Sequence, residues 1–180
     1  MMFLIRRAAI AVAFTLAAFA PAVASLKIGD AAPQFKLQAS MAGKVFDFDL
    51  ASALKQGPVV LYFYPAAFTK GCTIEAHDFA DAIDRYKALG ATVIGVSHDT
   101  VDVLNKFSVS ECRSKFPVAA DPQLHVASAY DAVLKANPKY ADRTSYVIAK
   151  NGKIAYVYSS LDPDKHVENT LAALKQLEGK

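Results

Sequence analysis

The stretch QGPVVLYFYP constrains the architecture of this chain more than any other. Residues 59–64 form an unbroken aliphatic and aromatic run between Gly57-Pro58 and Pro65. A run without alternation has no side to offer to water. It is expected as a strand buried on both faces, and such a strand needs helices above and below it. The next segment supplies one. Over 72–89, Phe79, Ala82, Ile83, Tyr86 and Leu89 recur at helical spacing, with charged residues off that stripe and Gly90 as the stop. Asp81 and Arg85 have the i, i+4 spacing of a surface ion pair. ATVIGVS reads as a second buried strand, and a strand–helix–strand unit pairs its strands in parallel.

The flanking segments add antiparallel pieces. PQFKLQA and GKVFDFDL alternate apolar and polar residues around Ala42-Gly43, the pattern of an edge hairpin. Thr100 is placed to cap a helix carrying Val101, Leu104 and Phe107. KFPVAADP reads as a short strand and turn, and a helical piece is expected over 125–130. TSYVIA and KIAYVY flank Asn151-Gly152, a favoured two-residue hairpin turn. Asp162-Pro163 opens a last helix that buries Val167, Leu171, Leu174 and Leu177. The order implies an α/β fold: a mixed central β-sheet flanked by helices on both faces, with an N-terminal β-hairpin extension. The thioredoxin fold is one such arrangement.

Residues 1–24 stand apart. Arg6-Arg7, a largely apolar stretch over 8–20 and Ala22-Val23-Ala24 before Ser25 have the layout of a cleaved signal peptide. An uncleaved membrane anchor is the other reading, though the run is too short for a comfortable membrane span. The expected mature chain, 25–180, is one domain without linker or repeat. Removing Arg6 and Arg7 from the 20 basic residues leaves 18 against 17 acidic ones, a formal charge of +1. That balance argues against a nucleic-acid partner and against stable membrane association after signal cleavage. Two cysteines in an exported chain of this length make no disulfide scaffold, so each needs its own explanation.

Cys72 falls at a strand-to-helix junction. Unpaired backbone N–H groups and the positive end of the helix dipole favour a thiolate there. A buried, inert thiol is the other reading that position alone leaves open. The surroundings of Cys72 say more. Pro65-x-x-x-Thr69-x-x-Cys72 resembles the active-site motif of the peroxiredoxins, the alkyl hydroperoxide reductase and thiol-specific antioxidant superfamily. RTSYVIAKNGKIAYVY resembles that family's second signature, with Arg143 entering the strand before the last hairpin, and IGDAAPQF resembles its opening. YFYP followed by GCTIEA is most similar to the Q-type, bacterioferritin-comigratory group.

The resemblance implies a thioredoxin-fold thiol peroxidase that takes hydrogen peroxide or small organic hydroperoxides. Cys72 would attack and become a sulfenic acid. Arg143 would hold the thiolate and polarise the peroxide, Thr69 would bridge peroxide and sulfur, and Pro65 would shield the thiolate from water. Glu75, one turn beyond Cys72, would either orient Arg143 or serve as a plain solvated or capping residue. The implied partners are a peroxide and a thiol reductant, either a thioredoxin-like protein or a small thiol, acting on a monomer or homodimer. No cofactor is implied, since sulfur carries the electrons, and the bacterial look of the family with the signal peptide implies the periplasm. Ionisation alone cannot make such an enzyme fast: lowering a thiol pKa from about 8.5 to about 6 gains only about 30-fold in thiolate at neutral pH. Nucleophilicity falls along with it, so donors aimed at the breaking O–O bond must supply the larger share.

The chain also departs from the family. Many Q-type relatives carry a resolving cysteine five residues after the first, where this chain has His77. For Cys112 three roles stay open: resolving cysteine, bystander to an external thiol, or structural residue. A metal reading of Cys72, His77, His98 and Cys112 finds no zinc-site spacing, and His125 and His166 read as ordinary helix-surface residues. Dithiol exchange would want a cysteine where Thr69 stands. A non-peroxidatic thioredoxin-like redox or copper-delivery protein is the remaining alternative; it would tolerate loss of Arg143.

Overall fold

The apolar run becomes the hub of a seven-stranded sheet in a computed structural model that describes residues 26–179. The expected signal peptide, 1–24, lies outside the described residues. β3 (Val59–Phe63) is buried at every position. It pairs in parallel with β4 (Thr92–Ser97) and antiparallel with β6 (Thr144–Ile148). β5 (Val118–Ala120) runs parallel to β4, and β7 (Ile154–Ser159) antiparallel to β6. The hairpin of β1 (Lys36–Met41) and β2 (Lys44–Asp49) joins through β1 to β5, giving the order β2-β1-β5-β4-β3-β6-β7.

Alternation along β3 divides the core into two layers. Val60 and Tyr62 join Val93, Val118 and Val147 in a cluster with α2 (Lys70–Ala88), α3 (Val101–Ser110) and α5 (His166–Glu178). Val59, Leu61 and Phe63 join Ile94, Val96 and Tyr146 in a second cluster with α1 (Leu50–Gln56) and α4 (His125–Ala129). This is the mixed, helix-flanked, thioredoxin-like sheet that the strand order implies. The stripe of α2 buries Phe79, Ala82, Ile83 and Tyr86 as its spacing requires.

Local chemistry changes several details. The expected first hairpin ran to residue 50, but β2 ends at Asp49, whose carboxylate accepts from the Ser52 N–H at 2.6 Å and starts the short helix α1. Only Leu50 and Leu54 of α1 are buried, too short a stripe to read from sequence. Ala42 and Gly43 form the expected two-residue turn, with φ of 51° and 75°. The last hairpin uses a longer loop. Gly152 donates to the Ala149 carbonyl and Ala149 to that of Lys153, so residues 150–152 make the turn and Gly152, at φ 78°, takes the left-handed position. Asp81 faces Arg113 across α2 instead of Arg85 on its own helix. Thr100 holds the N-cap position of α3, but its side chain makes no capping bond. Asp162 caps a 3-10 turn at Pro163–Lys165 that leads into α5.

Gly57 joins α1 to β3 where the backbone passes against the end of α2. A Cβ there would lie 2.1 Å from the Gly90 carbonyl oxygen, and backbone cannot swing aside as a side chain can. Gly57→Ala should therefore lower unfolding stability by about 3 kcal/mol, read from the urea midpoint. An unchanged midpoint would contradict the packing described.

Candidate active site

Antiparallel pairing brings distant residues together. Phe63, the last residue of β3, lies opposite Thr144, the first of β6. Whatever follows Phe63 therefore faces whatever precedes Thr144, and these are the loop to α2 and Arg143. Pro65 is half-buried, and its carbonyl accepts from His98 Nδ1 at 2.8 Å. The Ala67 N–H donates to Asp99 at 2.7 Å, and the Ser97 hydroxyl donates to the same carboxylate at 2.8 Å. The loop after β4 thus pins the loop after β3, with Phe68 forced to φ 63° and its ring edge against Phe107.

Helix α2 begins at Lys70, two residues before the expected start, so Cys72 sits within the first turn. It is 2% exposed. Arg143, 4% exposed, reaches it from the start of β6 with Nη2 3.5 Å from Sγ. The guanidinium is held on its other sides as well: Nε donates to the Leu161 carbonyl at 2.9 Å, and Nη1 to Glu75 Oε2. Burial works against the charge of Arg143, but Glu75 and Cys72 outweigh it and raise its pKa, so it stays a cation.

Glu75 is fully buried, which removes the solvated alternative and leaves the side chain against Arg143. Burial pushes its pKa up to about 8 despite the neighbouring guanidinium. Its second oxygen, Oε1, has no hydrogen-bond partner. Thr69 occupies the N-cap of α2 but is exposed, and its hydroxyl donates to the Ala66 carbonyl at 2.9 Å rather than to sulfur.

Cys112 lies in the turn just past α3, fully buried, and burial pushes its thiol far up. Both cysteines are free and belong to the same core cluster. The Cys112 turn is fastened to α2: Glu111 meets His77 at 2.9 Å, Arg113 meets Asp81, and Lys115 Nζ donates to the Ala80 carbonyl at 3.0 Å. His77 is therefore a tether between two helices. His98 lies in the loop after β4 as expected, and His125 is exposed.

His166 overturns its reading as a surface residue. It is fully buried, with Nε2 2.9 Å from the Ser160 carbonyl, Nδ1 2.8 Å from Ser145 Oγ, and Nδ1 3.6 Å from Glu75 Oε1. The signal that could have found it is a second helical row: His166, Thr170 and Ala173 recur at i, i+4, i+7 beside the apolar stripe and are all buried. Gly71 was also missed. A Cβ on Gly71 would lie 3.0 Å from Arg143 Nη2, so the residue before the cysteine gives the guanidinium its room.

A buried thiol in the first turn of a helix, faced by a fully engaged guanidinium on a thioredoxin-like sheet, defines a thiol-based redox protein. The particular kind follows from comparison. The chain belongs to the AhpC/TSA family of peroxiredoxins, whose model matches residues 28–157. It is 34% identical over 150 residues to the chloroplastic peroxiredoxin Q of Oryza sativa subsp. japonica, covering 83% of this chain and 67% of that one. The crystal structure of peroxidoxin BcpB from Mycobacterium tuberculosis superposes with a TM-score of 0.76 at 34% identity, covering 84% of this chain and 98% of that one. The Enterococcus faecalis AhpC structure shares the fold, with a TM-score of 0.77 at 22% identity over 87% of this chain and 94% of that one. Membership makes the protein a thiol-dependent peroxidase that takes peroxides as substrates and thiols as reductants.

The Gly71 contact separates geometry from stability. Gly71→Ala should keep or raise the melting temperature, because alanine is the better helix former by up to about 1 kcal/mol. It should lower the rate constant with peroxide about tenfold by displacing Arg143 a few tenths of an ångström. A rate equal to wild type in stopped-flow assays would contradict the placement of Nη2.

Proposed function

We propose that this protein reduces hydrogen peroxide and small organic hydroperoxides at Cys72. The observation that carries the reading is the 3.5 Å approach of Arg143 Nη2 to Cys72 Sγ, both side chains being almost fully buried. The thiolate sulfur attacks one peroxide oxygen. An S–O bond forms, the O–O bond breaks, and the leaving alkoxide or hydroxide takes up a proton as alcohol or water. The sulfur is oxidised by two electrons to a sulfenic acid and the peroxide is reduced by two. Nη2 carries two N–H groups, so it can hold the thiolate with one and the developing oxyanion with the other. Thr69 keeps its own hydrogen on Ala66 and offers lone pairs to the peroxide O–H. Pro65, fixed through its carbonyl by His98, presents no N–H and keeps water off the sulfur.

Two cycles are open to the sulfenic acid. If Cys112 resolves it, a disulfide forms and water leaves. That requires Cα atoms within about 7 Å and a Cys112 thiol released from its buried turn. Arg113 and Ser114, both non-glycine residues at φ 50° and 57°, strain that turn and favour its opening. The burial of Cys112 and the three tethers to α2 favour the other cycle, in which an external thiol condenses with the sulfenic acid and a second thiol restores Cys72. Export to a periplasmic site, from the signal-like residues 1–24, belongs to the same proposal.

Cys72→Ser should abolish peroxide consumption; residual turnover with the same thiol would contradict the assignment. After one equivalent of peroxide, non-reducing mass spectrometry should find a Cys72 sulfenic acid, trapped by added thiol. A Cys72–Cys112 disulfide would transfer the resolving step to Cys112.

A further inference from the structure

We propose that His166 is a positioning residue of the peroxidase site: its Nδ1 faces Glu75 Oε1 behind Arg143 and keeps a proton on that carboxyl, which leaves the guanidinium charge free to serve Cys72. The proposal rests on the reading that Cys72 reacts as a thiolate beside Arg143.

The geometry limits where protons can be. The Ser160 carbonyl only accepts, so His166 Nε2, 2.9 Å away, carries a hydrogen in every state. Nδ1 is the variable position. Its neighbours are Ser145 Oγ at 2.8 Å, which can donate or accept, and Glu75 Oε1 at 3.6 Å, which has no hydrogen-bond partner. That separation is longer than a hydrogen bond, but both side chains are fully buried, so the imidazole faces the carboxyl without bulk water between them. The other charged groups acting on the pair are Arg143 and Asp142 from the lead-in to β6, Asp162 from the cap before α5, and Asp78 on α2. The Tyr158 ring of β7 covers the imidazole edge-on at 4.8 Å.

Charge balance gives the pair its function. The site holds one cation, Arg143, and two prospective anions, Cys72 and Glu75. If both ionise, one buried negative charge is left uncompensated, the costly state for a dry site. A proton on the Glu75–His166 pair removes that excess and makes the thiolate–guanidinium pair neutral. Burial raises the carboxyl of Glu75 and lowers the imidazole of His166, so the proton rests mainly on Oε1. The lone pair on Nδ1 keeps it there by opposing the carboxylate. A glutamine at 166 could still reach Ser160 but would supply no base.

The expected consequence is an alkaline decline in the rate constant with peroxide as the pair loses its proton and Glu75 competes with Cys72 for Arg143. His166→Gln should move that decline to lower pH by about one unit. In a Glu75→Gln background no carboxyl is left to ionise, so the decline should be absent with or without His166→Gln. No decline in wild type, a uniform loss in His166→Gln at every pH, or a decline that persists in the Glu75→Gln background would overturn the proposal. The unmodified protein gives an independent reading without peroxide. The ring 15N signals of His166 and the carboxyl 13C signal of Glu75 should titrate with a common midpoint that moves on Cys72→Ser. Two unrelated midpoints would overturn it even if Cys72 reduces peroxide, and a common midpoint would stand even if it does not.

Discussion

The structure turns on the burial of one positive charge. A guanidinium at 4% exposure is tolerated only because each of its nitrogens has a partner: Leu161 for Nε, Glu75 for Nη1, Cys72 for Nη2. The charge and its partners come from three parts of the chain. The β3–β6 register carries Arg143 to the end of β3, the first turns of α2 present Cys72 and Glu75 on one side, and the segment after β7 folds back with Leu161. The charge that would be a liability in a core is held against the sulfur of Cys72.

The same constraint bears on the proposed attack on peroxide. In the proposed reaction, a donor already aimed at the sulfur also meets the oxygen that departs as the O–O bond breaks, and that geometry is fixed before the substrate arrives. The loop at 65–69 is fixed as firmly, by His98 and Asp99 from the neighbouring loop. Cys112 sits outside this arrangement, in a strained turn fastened to α2.

Patterns that repeat were legible in the sequence. The run at 59–64, the α2 stripe and the two hairpins announced themselves through periodicity and turn residues, and the strand order followed. The motifs singled out Cys72 and Arg143, which the fold brings within 3.5 Å of each other. What stayed hidden depends on contacts between elements. Asp81 has a good partner on its own helix at Arg85, and only the fold brings Arg113 to it. His166 carries the residue type of a surface, and only the meeting of α5 with β6 and α2 buries it. Gly71 looks like punctuation until Arg143 is seen 3.0 Å from where its Cβ would be. Helix α1 is built by one cap and two leucines, too little for periodicity to register.

The most direct test of the central claim compares wild type with Arg143→Lys at a pH where the thiolate absorbance of Cys72 has reached its plateau in both proteins. With ionisation equal, the account predicts that the variant still reacts with hydrogen peroxide roughly 100-fold more slowly or worse, because the forked donor to the leaving oxygen is gone. Equal rate constants at that plateau would contradict it, and would reduce Arg143 to a device for ionising the thiol.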